Sequence, residues 1–219
     1  MMTDVLSTWI EALPHLASGL LVSLQICVMS LAVGVPAGLF FAILQKAGPK
    51  PLGWLIVGLV EIGRGAPALV ILYLAYFGLP EIGISASATA AAVAGLGFST
   101  AAYTSEMFRA ALESVPGEQL EAADVLGLGT FDKYRFVVLP LALRVAIPPV
   151  LGFCIVLFQG TSLCFAIAVP EMLSKAYNFA SITFRYLPVL TLAGLIYASI
   201  AVIAAQLVGG IEERMSRYL

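Results

Sequence analysis

Charge is what this 219-residue chain has least of: Asp, Glu, Lys and Arg together make 11% of it, against about 25% in a soluble domain. Hydrophobic residues make 61%, and several uncharged runs exceed the roughly 20 residues a helix needs to cross a hydrocarbon core. A soluble fold of this length could not bury so much apolar surface. The three cysteines, Cys27, Cys154 and Cys164, lie in apolar runs without metal-ligand or redox spacing and read as small buried residues. The single histidine, His15, has no partner ligand nearby, so no metal site is expected. Scattered serines and one histidine also give no converging nucleophile and base, so no catalytic residues are assigned. The pattern GxxxxGK[ST] is absent, and the chain cannot bind ATP through that loop. The first twenty residues, MMTDVLSTWIEALPHLASGL, hold Asp4 and Glu11 but no Lys or Arg, unlike a signal peptide. Trp9 in this mixed-polarity stretch suggests that segment 1–15 is an interfacial helix lying on the membrane surface.

What is present is a series of apolar runs. They cover 16–45, about 52–79 (interrupted by Glu61 and Arg64), from after LPEIGIS to about 112, about 141–169, and 186 to about 210. The expected fold is all-α, a single polytopic membrane domain 1–219 with five transmembrane helices. Basic residues orient it. With the N-terminus outside, Lys46, Lys50, Arg109, Lys133, Arg135, Arg144, Arg214 and Arg217 fall inside. Lys175 and Arg185 then fall outside, and Arg64 remains in the membrane. The reverse orientation inverts that balance, so N-out, C-in is expected. GVPAG (34–38) and the Ala-rich third run suit close helix packing.

One segment, EAADVLGLGTFDKYRFVVLP (121–140), is polar in this apolar setting. The orientation places it in the cytoplasm. Glu118, Glu121 and Asp124 share a face of a short helix ended by Gly127 and Gly129. Thr130 can cap a second short helix that the Leu139-Pro140 step breaks before the next span. Ala122, Ala123, Val125 and Leu126 beside an acidic face fit docking into a groove on another protein.

E-A-A, three residues, G, nine residues, V-V-L-P resembles the EAA loop of permease subunits of ATP-binding-cassette (ABC) importers. The matching positions are Glu121, Ala122, Ala123, Gly127, Val137, Leu139 and Pro140, with Val in place of the usual Ile at 137. The resemblance spans nearly the whole chain and points to the polar amino acid uptake family. LVEIGRGAPALVILYLAYFGLP is similar to that group's RGTP…YFGLP block, and AAYTSEMFRAALESVPGEQLEAA to its AYxxExxR…EAA block. FQGTSL followed by PEML is similar to its KDTSL…EL block. Gln159-Gly160 stands where the family has Lys-Asp, the Asn usual in the third helix is absent from LGFSTAAY, and Gly117-Glu118-Gln119 replaces KGQ. The first two departures fall where the resemblance places the translocation path, and so bear on the substrate.

The resemblance implies the type I importer permease fold, with 117–139 as the coupling loop. Glu121, Ala122, Ala123, Asp124, Gly127, Leu139 and Pro140 would contact ABC ATPase subunits, which bind ATP-Mg; the chain itself would need no cofactor and would not be an enzyme. Its other implied partners are a second permease subunit, identical or paralogous, and a periplasmic or membrane-anchored solute-binding protein. It would sit in bacterial inner-membrane lipid, with no nucleic acid involved. The expected function is import of polar amino acids or related small zwitterions by alternating access. An ion-gradient-driven secondary transporter or channel is the alternative, though it would be expected to show inverted repeats and midplane carboxylates.

Glu61, Arg64 and Glu106 need partners, because a central Arg costs about 2.5–3.5 kcal/mol on insertion scales. Arg64 can pair with Glu61 or Glu106 as packing or as a gate, or it can contact substrate charge. Ser99, Tyr103, Gln159, Thr161 and Ser162 are the polar residues nearest mid-membrane in the third and fourth helices. Each can satisfy itself on its own helix, or together they can line a path for a zwitterion.

Overall fold

The computed structural model describes residues 2–216. Arg217 and the side chain of Arg214, which entered the orientation count, lie outside the described residues. The described residues form helices and turns, with no strand among them. The order is α1 (Met2–Ala47), α2 (Lys50–Gly65), α3 (Ala68–Tyr73), α4 (Leu79–Glu81), α5 (Ala88–Glu113), α6 (Gly117–Val125), α7 (Thr130–Lys133), α8 (Leu139–Gly160), α9 (Met172–Thr183) and α10 (Tyr186–Ser216).

α1 is 46 residues long, about 69 Å at 1.5 Å per residue. Segment 1–15 is therefore not a separate surface helix: it continues straight into the first span. Packing explains the correction. Ala12 and Leu16 are fully buried with Met172, Ala176 and Ala180 of α9 and Val189 of α10. Trp9 donates through Nε1 to the Pro188 carbonyl at 2.9 Å, and Arg185 donates to Thr8 Oγ1 at 2.7 Å. Burial of this apolar stripe outweighs the break that Pro14 would otherwise favour.

The second span is also corrected. α2 and α3–α4 meet at a bend of 109°. Ala66 takes an extended conformation (ψ 140°) before Pro67, as the residue ahead of a proline prefers, so Glu61 and Arg64 lie at the end of α2 and not midway along a straight helix.

Among the described residues three helices are long and apolar enough to cross a membrane, and the bent pair, taken as one span, makes a fourth. α5, with 26 residues or about 39 Å, is long enough to be the fifth. It is less apolar because neighbouring helices cover it: Ala91, Ala92, Leu96, Thr100, Ala101, Ala102 and Thr104 are all buried. It runs parallel to α1, with Gly34 against Gly97 and Thr100 near one end. Near the other, Gln45 donates to Ser105 Oγ and Lys46 to the Leu112 carbonyl.

Leu-Pro does not break the chain as expected. Residues 130–160 are continuously helical, with a wider π-helical turn, Tyr134–Val138, directly before Leu139-Pro140. The same device recurs at Leu74–Gly78 before Leu79-Pro80. A proline ring crowds the carbonyl four residues back and supplies no N–H to it. One extra residue in the turn relieves both problems while the helix continues.

The fourth span ends about where expected: Thr130–Ile167 is long and apolar enough to cross a membrane. α8 ends at Gly160, the chain tightens through the 3-10 turn Thr161–Ile167, and it reverses at Ala168, whose φ is 60°. The unanticipated α9 then folds back, burying Met172, Ala176 and Ala180 at four-residue spacing.

Candidate functional site

The polar segment is a helical hairpin. α6 starts after Pro116 and buries Ala123. Its last turn closes in a Schellman motif: Leu128 N–H donates to the Ala123 carbonyl (3.1 Å) and Gly127 N–H to that of Asp124 (3.0 Å). Gly127 has φ +71°, which confirms it as the stop. Gly129 is different, with φ −63° at the N-cap of α7, and Thr130 is the first helical residue and caps nothing. An ion pair from Lys133 to Asp124 ties α7 back to α6. Glu118, Glu121 and Asp124 are exposed together. So are Val125 (89%), Leu126 (77%), Phe131 (73%) and Phe136 (61%). Apolar side chains this exposed on a charged hairpin mark a contact surface. Val138 is buried with Ala42, Phe108 and Leu112, so the hairpin is fixed to the helix that follows it; Leu139 is partly covered and Pro140 exposed.

On the same side of the bundle, an ion-pair chain joins α2 to α5. Arg64 lies 3.5 Å from Glu61 and 3.4 Å from Glu106, so it has both of the partners foreseen. The tighter contact of Glu106 was missed. Arg109 donates to it from Nε and Nη2, the latter at 2.7 Å, and reaches Glu113 at 2.8 Å. The three- and four-residue spacing of Glu106, Arg109 and Glu113 on one helix was the available signal; counting Arg109 among loop charges obscured it. Tyr103 donates to the Arg64 carbonyl at 3.2 Å. A cavity of about 370 Å3 lies on one side of this chain, lined by Gln45, Lys46, Glu61, Glu106 and Arg109. Another of about 440 Å3 lies on the other, lined by Arg64, Tyr103, Glu106, Met107, Val145 and Pro149. Glu106 is common to both, so the Arg64–Glu106 contact stands between them.

The remaining polar residues are not gathered around either cavity. Thr161 is buried and donates to the Phe158 carbonyl (2.7 Å), while Ser162 donates to that of Gln159 (2.8 Å). Both satisfy themselves locally. Gln159 is exposed, and Ser99 is buried with no hydrogen-bond partner for its hydroxyl. Only Tyr103 joins the ion-pair region, where its ring stacks on Phe153 at 5.3 Å.

Glu171 was overlooked altogether. It is fully buried and caps α9, accepting from Ser174 N–H (2.7 Å), Leu173 N–H (2.8 Å) and Tyr197 Oη–H (2.9 Å). With Ser23 Oγ at 3.5 Å, one carboxylate links α1, α9 and α10.

Residues 34–217 match the family described as binding-protein-dependent transport system inner membrane component. The chain is 36% identical over 210 residues to the probable amino-acid ABC transporter permease protein YckA of Bacillus subtilis (strain 168), covering 96% of this chain and 93% of that one. It is 37% identical over 193 residues to the probable glutamine ABC transporter permease protein GlnP of the same organism, covering 87% and 88%. The crystal structure of an amino acid ABC transporter with histidines superposes with TM-score 0.87 at 29% identity, covering 94% of this chain and 96% of that one. An inward-facing structure of the MetNI methionine ABC transporter shares the fold, with TM-score 0.65 at 19% identity.

Proposed function

From the premise that this chain belongs to the family of binding-protein-dependent transport system inner membrane components, an integral membrane permease of the ABC importer class, we propose that it imports polar amino acids or related small zwitterions. Two permease subunits, identical or paralogous, enclose the path in a bacterial inner membrane, with the N-terminus periplasmic and the C-terminus cytoplasmic. A solute-binding protein delivers the substrate outside. Two ATPase subunits bind ATP-Mg and dock on the hairpins through Glu121, Ala122, Ala123, Asp124 and Gly127, with Leu139-Pro140 joining each hairpin to its span. The names of the relatives support the substrate class.

The observation that carries this reading is the exposed apolar set Val125, Leu126 and Phe131 on a hairpin whose second arm is continuous with α8. Force applied to α6 passes through Val138 into the packed core of α1, α5 and α8. Alternating access follows as α8 and α5 shift around the path. Arg64 and Glu106 form the inner gate, because their contact joins α2 to α5 between two cavities. Tyr103 lies beside them on the path, and exposed Gln159 and half-buried Ser162 line it farther along, where two subunits face one another; Ser99 and Thr161 are buried within the chain behind them.

The test is uptake into proteoliposomes that hold the permease, its ATPase and its binding protein. Glu121→Lys and Gly127→Asp should abolish ATP-dependent uptake while leaving membrane insertion intact. Uptake by the wild type without ATPase would refute the reading and favour an ion-driven carrier.

A further inference from the structure

The cavity beside Arg64 does not end at α5. A second one of about 270 Å3 adjoins it between α5, α6 and α8, lined by Ser114, Pro116, Gln119, Leu141, Arg144 and Val145. Val145 lines both, so the two adjoin at that side chain and together reach from the ion-pair chain to the foot of the hairpin. The second is close in size to the lower end of small-ligand clefts, roughly 300 Å3. Tyr103 and Ser114 mark the two ends on α5, eleven residues and about 16 Å apart. One amino acid cannot span that length, so the two cavities offer two successive stations.

The charges at the two stations differ in a telling way. At the one deeper in the membrane Arg64 is occupied by Glu61 and Glu106. Nearby, Lys46 is held by the Leu112 carbonyl and Arg109 by Glu106 and Glu113. At the hairpin-side station Arg144 is the single charged residue of the lining, and among the described residues it has neither an ion-pair nor a hydrogen-bond partner. A free guanidinium presents a planar fork of donors suited to a carboxylate. Gln119 adds an amide, and Leu141 and Val145 add apolar walls for a short side chain.

We propose that this hairpin-side station, with Arg144 as its receptor, binds the carboxylate of the amino acid as it leaves, and that its occupancy slows the transporter when product accumulates. The inference rests on the transport reading above. The reason for feedback is geometric: Ser114 ends α5, while Gln119 lies on α6 and Arg144 on α8, so a ligand seated there fills the space between α5 and the hairpin with its following helix. A filled cleft resists the motion that the ATPase drives.

The experiment uses proteoliposomes with the complete transporter and ATP-Mg inside. The probe is the labelled amino acid that these vesicles take up from a mixture of the common L-amino acids; unlabelled copies of it, or its carboxamide, are loaded into the lumen at millimolar concentration. Uptake into empty vesicles reports on the transport reading, and its dependence on lumenal load reports on this one. The wild type should slow severalfold under the amino acid load and not under the carboxamide. With each variant compared with its own empty-lumen rate, Arg144→Gln should need roughly tenfold more lumenal amino acid for the same fractional inhibition, the scale of losing a charge-assisted hydrogen bond. Arg144→Lys, which keeps the charge without the planar fork, and Gln119→Ala, which removes the amide but leaves Arg144, should fall between. Equal inhibition of Arg144→Gln and wild type would overturn the proposal, as would a wild-type rate indifferent to load. Inhibition that follows anionic-lipid content instead of lumenal amino acid would overturn it too, by making Arg144 a headgroup contact.

Discussion

Gly127 and Gly129 sit two residues apart in the same loop, and both have open space where a Cβ would go. Packing therefore cannot distinguish them; backbone conformation does. Gly127 has φ +71°, where an L-residue costs about 1–2 kcal/mol. Gly129 has φ −63°, which any residue adopts. Gly127→Ala should weaken the Schellman closure, whose clearest reporter is the Leu128 N–H bonded to Ala123. A cost of one or two kcal/mol is a factor of about 5–30 in a local equilibrium, so hydrogen exchange at Leu128 should quicken by that factor. Gly129→Ala should leave exchange unchanged or slow it, since alanine restricts the unfolded loop. If the ordered hairpin is what engages the ATPase, ATP-coupled uptake should fall severalfold in Gly127→Ala and stay near wild type in Gly129→Ala. Equal effects of the two substitutions on exchange and uptake would refute the argument that the left-handed turn sets the shape of the docking surface.

Three further substitutions probe other joints. Gly34→Ala would place a Cβ 2.7 Å from the Gly97 carbonyl oxygen and should cost about 1–3 kcal/mol as overpacking, read as a lower melting temperature in detergent; Gly58→Ala, with nothing nearby, should not. Glu171→Ala leaves the buried Ser174 N–H, the half-buried Leu173 N–H and the Tyr197 hydroxyl without their acceptor and should cost about 3 kcal/mol, with proteolysis at the α8–α9 turn as a second readout; an unchanged melting temperature would argue against the carboxylate as the link between α1, α9 and α10. Arg64→Gln removes a half-exposed contact worth under about 1 kcal/mol, so melting should barely move. ATP hydrolysis without binding protein should rise if Arg64–Glu106 is the inner gate, and a basal rate equal to wild type would sink that role.

The hairpin was legible because its signals are local. Glycine stops, a proline start and charges at helical spacing act within ten residues, and the segment stands out in an apolar chain. What was misread depends on what lies opposite in space. The first fifteen residues look interfacial alone, and only α9 and α10 show why Ala12 and Leu16 are buried. α9 itself carries Ser, Lys and Asn among its apolar residues, too mixed for a span and too short to cross. The bend in the second span did have a local sign in Gly65-Ala66-Pro67, which an uncharged-run criterion passes over. The hydroxyls of Thr161 and Ser162 resolve to their own carbonyls, a choice that residue type alone leaves open.

The two Leu-Pro steps show how the local and the spatial combine. Read locally, proline after an apolar run ends a helix; here each follows a π-helical turn, and after Pro140 the helix goes on to Gly160, whereas after Pro80 it ends at Glu81. Had Leu139-Pro140 broken the chain, a flexible joint would separate the hairpin from α8, and movement of α6 would be absorbed there. Continuity from Thr130 to Gly160, the Lys133–Asp124 pair and burial of Val138 instead make α6, α7 and the start of α8 one lever. The groove holding Arg144 lies between that lever and α5. Displacing the hairpin must therefore change the groove's width, and whatever fills the groove must in turn restrain the hairpin.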